Sequence, residues 1–111
     1  NNLLQSAKVA AAPDRATLAR QAKDAAAAKT GTPEVRLGQA YLSYGQPAEA
    51  AAAIERGLAR GGVKDLANAN LSLGIARLKA GDKVGAAAAF DAAKGNPFTE
   101  RLAGYWKLRT R

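Results

Sequence analysis

The sequence predicts an all-α fold of antiparallel helix pairs, about six to seven helices in 111 residues. Three observations point there. Turn-forming residues cut the chain into short segments whose apolar residues recur at spacings of three and four. Alanine, the best helix former, dominates the apolar residues, and β-branched side chains are few. Two segments also match at a fixed offset of 36 residues, as set out below. The length suits one domain. Small side chains bury little area each, so stability must come from close helix–helix approach.

The first segment, Leu3 to Ala12, is short and weakly patterned. Pro13-Asp14 stops it, and Asp14 is placed to cap the next helix, which carries Leu18, Ala22, Ala25 and Ala26. Thr30-Gly31 ends that helix. Thr32-Pro33-Glu34 reads as a helix start: Thr32 as N-cap, Pro33 in the first turn, Glu34 facing the positive dipole end. Val35, Leu37, Ala40, Tyr41 and Tyr44 follow, and Gly45 closes the helix. Pro47 opens another, with Ala50, Ala51, Ile54 and Leu58 before Gly61-Gly62. Asp65 caps a helix bearing Leu66, Ala69, Leu73, Ala76 and Leu78. After Gly81, Asp82 caps the helix of Ala86, Ala89, Phe90 and Ala93. Asn96-Pro97 begins the last one, which is expected to set Phe98, Leu102, Tyr105 and Trp106 on one side.

The internal match is specific. Leu37-Gly38 recurs as Leu73-Gly74, Leu42 as Leu78, and Gly45 as Gly81. Ala50 recurs as Ala86, Ile54 as Phe90, and Gly57 as Ala93. A helix-interior glycine costs roughly 1 kcal/mol against alanine, so Gly38 and Gly74 imply helices passing close by. On that basis Gly74→Ala should gain propensity, and Gly74→Leu should overpack the contact.

These residues resemble the tetratricopeptide repeat, a helix–turn–helix unit of roughly 34 residues. The resemblance covers residues 31–64, through Leu37, Gly38, Tyr41, Gly45, Ala50 and Ile54, and residues 67–96, through Leu73, Gly74, Gly81, Asp82, Ala86, Phe90 and Ala93. Arg77 departs from it at a position where the family usually has Tyr, and Gly62 stands for the terminal proline of the first unit. The resemblance implies an α–α superhelix. Residues 1–29 would be an N-terminal helix pair, either a degenerate repeat or an extra pair, and 97–111 a C-terminal capping helix. The chain also looks like uncharacterised repeat proteins of Gram-negative bacteria.

By the same resemblance, the first helix of each unit lines a concave groove. From the first unit this groove would take Thr32, Val35, Gln39, Leu42 and Ser43. The second unit would add Asn68, Leu71, Ser72, Ile75 and Lys79. Such a mixture suits an extended peptide or a helix. Leu71 and Ile75 would alternatively pack against flanking helices. Some family members bind acidic peptide tails through lysine and asparagine; Val35, Gln39 and Ser72 provide no such basic clamp.

The expected function is therefore a non-catalytic protein-interaction scaffold. With no His, no Cys and no Gly-rich phosphate loop, neither an enzymatic role nor a cofactor or metal is expected. Asp82 reads as a cap and Asp91 as an exposed helix residue, not as a catalytic pair. The net charge of +8 leaves nonspecific nucleic-acid or polyanion binding as an alternative, although the basic residues are scattered and form no run. Architectural self-association is a third reading. Tyr105 and Trp106, beside Lys107 and Arg109, read either as an interaction hot spot or as packing against Phe90 or Phe98. No stretch approaches the ~20 apolar residues of a membrane span. The absence of methionine implies a processed or truncated chain, with any targeting segment outside it and a periplasmic or exported location expected.

Overall fold

Helix boundaries fall where capping and turn chemistry put them. A computed structural model describes residues 15–111, in the order α1 (Arg15–Ala27), α2 (Thr32–Ser43), α3 (Pro47–Arg60), α4 (Leu66–Lys79), α5 (Lys83–Ala92) and α6 (Pro97–Lys107). A 3-10 turn, Leu108–Thr110, follows α6. The expected cap Asp14 and the segment Leu3 to Ala12 lie outside the described residues. The described residues contain no strand.

Three of the starts are capped by side chains. Asp65 accepts from the Asn68 N–H at 3.0 Å, and Asp82 from the Gly85 N–H at 2.8 Å. Asn96 Oδ1 accepts from Phe98 and Thr99 N–H groups. Thr32 is not the cap expected of it. Gly31 occupies that position without a side-chain bond, and Thr32 is already helical. Its hydroxyl reaches the linker after α3 instead, donating to the Gly62 carbonyl and accepting from the Lys64 N–H.

The α2–α3 and α4–α5 turns are near copies. Gly45 and Gly81 have φ of 75° and 94°, left-handed values that favour glycine. The Gly45 N–H donates to the Leu42 carbonyl and the Gly81 N–H to that of Leu78, both at 3.1 Å. The next N–H groups, of Gln46 and Asp82, donate to Tyr41 and Arg77 at 2.9 and 2.8 Å. Every one of these partners is displaced by the same 36 residues.

Helix packing repeats too. A Cβ on Gly38 would overlap Ile54 Cγ1, and a Cβ on Gly74 would overlap the Phe90 ring. Near the start of α2, Gly31 meets Gly57 near the end of α3, so the two helices run antiparallel. Arg77 donates to the Gly85 carbonyl near the α4–α5 turn, and Gly74 meets Phe90 farther from it, so this pair is antiparallel too. The close approach expected at Gly74 is thus present, but the contact is so tight that even alanine meets the ring.

Between pairs lie two corresponding clusters. Val35, Ile54, Ala69, Leu73 and Ala89 join α2, α3, α4 and α5. Leu71, Ala86, Phe90, Ala93 and Ala103 join α4, α5 and α6, with Trp106 packed against them. A third cluster, Leu18, Ala25, Leu37 and Ala53, seats α1 on α2 and α3. The apolar stripes need four corrections. Leu66, Phe98 and Tyr105 are exposed rather than inward-facing. Leu66 opens α4 beside a solvated linker, and in α6 the short Thr99 and Ala103 take the inner face because Phe90 fills the space between helices. Ala26 also faces outward.

Candidate functional site

The residues expected to line a groove do not share one environment. Val35 and Leu71 are buried in the two clusters just described and offer no surface to a ligand. Branched apolar side chains at these positions bridge one helix pair to the next, which corrects their assignment as groove residues. Gln39 and Ser72 meet each other: Gln39 Nε2 donates to Ser72 Oγ at 3.2 Å, joining α2 to α4. Their polar groups are thereby partly satisfied within the chain. Leu42, Asn68 and Ile75 are half-buried, Ile75 against the second cluster. Lys79 is exposed at the end of α4. Thr32 is tied to the linker, and the Ser43 hydroxyl donates back to the Gln39 carbonyl. The surface available along α2 and α4 is therefore the line Leu42, Gln39, Asn68, Ile75 and Lys79.

Two recesses lie elsewhere. One, of about 420 Å³, sits among the linkers and is lined by residues of 63–67 and 94–96. The other, of about 160 Å³, lies between α5 and α6 and includes Asp91, Lys94, Glu100 and Gly104. None of the groove residues lines either.

The polar centre of the fold escaped the sequence reading. Glu34 was expected to face the positive dipole end of α2, and its side chain there is only 2% exposed. Arg56 Nε donates to its Oε2 at 3.1 Å, and Arg60 Nη2 approaches the same oxygen at 3.4 Å. The other Arg60 nitrogen donates to the Ala25 and Ala28 carbonyls at the end of α1. One guanidinium thus joins three helices. The spacing of Arg56 and Arg60, one helical turn apart on α3, was the available signal. Their partner Glu34 stands on another helix, 22 residues from Arg56, so the pattern of α3 alone does not reveal it.

Two further ion pairs cross helices: Arg77 with Glu55 at 2.8 Å, and Lys107 with Asp91 at 2.6 Å. At the C-terminal end, Trp106 packs inward, whereas Tyr105 is exposed and meets it edge-on. The Arg109 guanidinium lies 5.0 Å from the Tyr105 ring centre and 5.7 Å from that of Trp106, and it donates to the Tyr105 hydroxyl. Among the described residues, no three His, Cys, Asp or Glu side chains are grouped to hold a metal ion. No helix there is long and apolar enough to cross a membrane.

Comparison with protein families, curated proteins and solved structures gives no match.

Proposed function

We propose that this chain is a tetratricopeptide-like α–α superhelix and a non-catalytic protein-interaction scaffold. One observation carries the reading: the Gly38–Ile54 and Gly74–Phe90 contacts, with their turns, repeat at a single 36-residue offset. A stack of such pairs sets equivalent helices side by side, and the Gln39–Ser72 bond joins the two first helices in that manner. Leu42, Asn68, Ile75 and Lys79 then share a strip along α2 and α4 that suits an extended peptide or a helix. Polyanion binding has weaker support, since Arg56, Arg60, Arg77 and Lys107 are already paired within the chain.

Photo-crosslinking tests the strip. A photoreactive residue at Leu42 or Lys79 should capture a defined protein from the native source, whereas one at Ala52, exposed on α3, should not. Equal capture from all three positions, or none, would overturn the groove assignment.

A further inference from the structure

We propose that the strip of α2 and α4 continues across α6, and that this end of it selects an acidic polypeptide segment with an apolar residue between two carboxylates, a ligand class that rests on the groove reading above. Register places α6. Leu73 of α4 packs with Ile54 of α3, and Ala103 of α6 packs with Phe90 of α5. Arg77 of α4 pairs with Glu55 of α3, and Lys107 of α6 pairs with Asp91 of α5. Both contacts advance by 30 residues on the first partner and 36 on the second. α6 therefore sits on α5 as α4 sits on α3, and α4 packs against both α2 and α6. The same advance carries Gly74 to Gly104, Asn68 to Phe98, Ile75 to Tyr105 and Lys79 to Arg109.

In α4, Asn68 and Ile75 stay half-buried and Lys79 exposed although α5 and α6 both pack on that helix. Their row therefore lies off the faces that neighbouring helices cover. A helix packed on α6 as α5 packs on α4 would cover Gly104 and leave Phe98, Tyr105 and Arg109 accessible. Phe98 and Tyr105 are 66% and 52% exposed. The Arg109 guanidinium lies over the Tyr105 ring and donates to its hydroxyl. Stacking holds a guanidinium fork in place and leaves it further N–H groups to pair with a carboxylate. Among the described residues, no carboxylate pairs with Lys79 or Arg109.

The acidic groups nearby are turned elsewhere. Asp91 pairs with Lys107, and Glu100 accepts from the Gly95 N–H at 3.0 Å. Both line the α5–α6 recess with Gly104, whereas Phe98, Tyr105 and Arg109 do not. At roughly 3.6 residues per turn, Glu100 falls on the opposite side of α6 from Leu102 and Tyr105. On α2 the single acid, Glu34, is buried, and α4 has none. The strip thus offers cations and apolar groups without a competing carboxylate. Neighbouring helix axes lie roughly 8–10 Å apart, a span that an extended chain covers in about three residues. Carboxylates that far apart meet Lys79 and Arg109, and an apolar residue between them meets Ile75 and Tyr105. No stretch of these 111 residues has that pattern, since the closest two acids, Glu49 and Glu55, are six positions apart. A second copy, itself at +8, is repelled.

The probe is an array of peptides blocked at both ends, with two Asp or Glu three positions apart, every apolar choice between them, and Asn or Gln counterparts. The labelled 111-residue chain should select the acidic set. Anisotropy titration of the best peptide should then show affinity falling at least 10-fold with Arg109→Gln and with Tyr105→Ala. Arg101→Gln and Lys94→Gln, which remove exposed cations off the strip, should change it less than about 2-fold. An unchanged Tm for Arg109→Gln separates the lost contact from misfolding. No preference for carboxylates overturns the proposal. So do equal losses with Arg101→Gln and Arg109→Gln, because net charge alone would then account for binding. A single-stranded oligonucleotide that binds more tightly and displaces the peptide would make the occupant a nucleic acid, and overturns it as well. Crosslinking from Leu42 or Lys79 can still capture a protein when Arg109→Gln has no effect, so the groove reading survives failure here.

Discussion

The two helix pairs share a register but are locked differently. In α2–α3, Gly31 and Gly57 meet backbone to backbone, and Glu34 is clasped by Arg56 and Arg60. In α4–α5 the corresponding positions are Ala67, Ala93 and Asn70. Asn70 makes only a bond within its own helix, to the Leu66 carbonyl at 3.0 Å. The common feature, glycine over a large apolar side chain, therefore sets the alignment of a pair. The Gly31–Gly57 contact and the Glu34 clasp perform a separate task, drawing the open end of the first pair together and tying it to α1. Substitutions that strike the two features should have effects of different size.

The largest effect is expected at Gly31. An added Cβ would overlap the Gly57 carbonyl, which is backbone and has no rotamer to change. Gly31→Ala must push α2 and α3 apart, costing about 3 kcal/mol, the upper end for overpacking. Urea unfolding would measure it. An unchanged midpoint would mean that the helices do not meet there.

Next comes Glu34. Glu34→Ala removes a buried acceptor of two charge-assisted bonds and should cost about 1.5–3 kcal/mol. Both arginines retain some access to water, which limits the loss. Asn70→Ala, the same step in the second pair, should stay within about 0.5 kcal/mol. Similar values for the two would remove the claimed difference between pairs.

Much of this architecture was legible because it is local. Prolines, glycines and short polar caps act on their own neighbours, so the starts at Pro47, Asp65, Asp82 and Asn96 could be read directly from the chain. The 36-residue match exposed Gly38 and Gly74 because two glycines inside helix patterns need a packing reason. What remained hidden depends on distant partners. Glu34 looks solvated until α3 brings Arg56 and Arg60 over it. Val35 and Leu71 look like groove lining until the adjoining pair covers them. In α6, apolar spacing alone favoured Phe98 and Tyr105, while the covered face is the one carrying Thr99 and Ala103.

Gly74 gives a smaller but sharper test. Alanine in a helix interior gains up to about 1 kcal/mol over glycine. Here its methyl would overlap a Phe90 ring that is itself 3% exposed and packed among Ala86, Ala93 and Ala103. The ring must shift, at a typical cost of about 1–3 kcal/mol, so Gly74→Ala should be destabilising by about 1 kcal/mol. Combining it with Phe90→Leu should give less than the sum of the single losses, since the two residues share one space. Additive losses would place the ring elsewhere.

The smallest expected effect has the opposite sign. Gly104 lies within α6, at the position that Gly74 holds in α4, but no atom stands where its Cβ would go. Its φ is not among the positive values, so alanine adopts the same backbone without strain. Gly104→Ala therefore keeps the propensity gain that packing cancels at Gly74, and should raise stability by about 0.5–1 kcal/mol. Thermal unfolding of the two alanine variants side by side reads the contrast: one substitution, two equivalent positions, one covered and one bare. If Gly104→Ala lowers the midpoint as Gly74→Ala does, then a side chain covers Gly104 and the contrast between the two positions is lost.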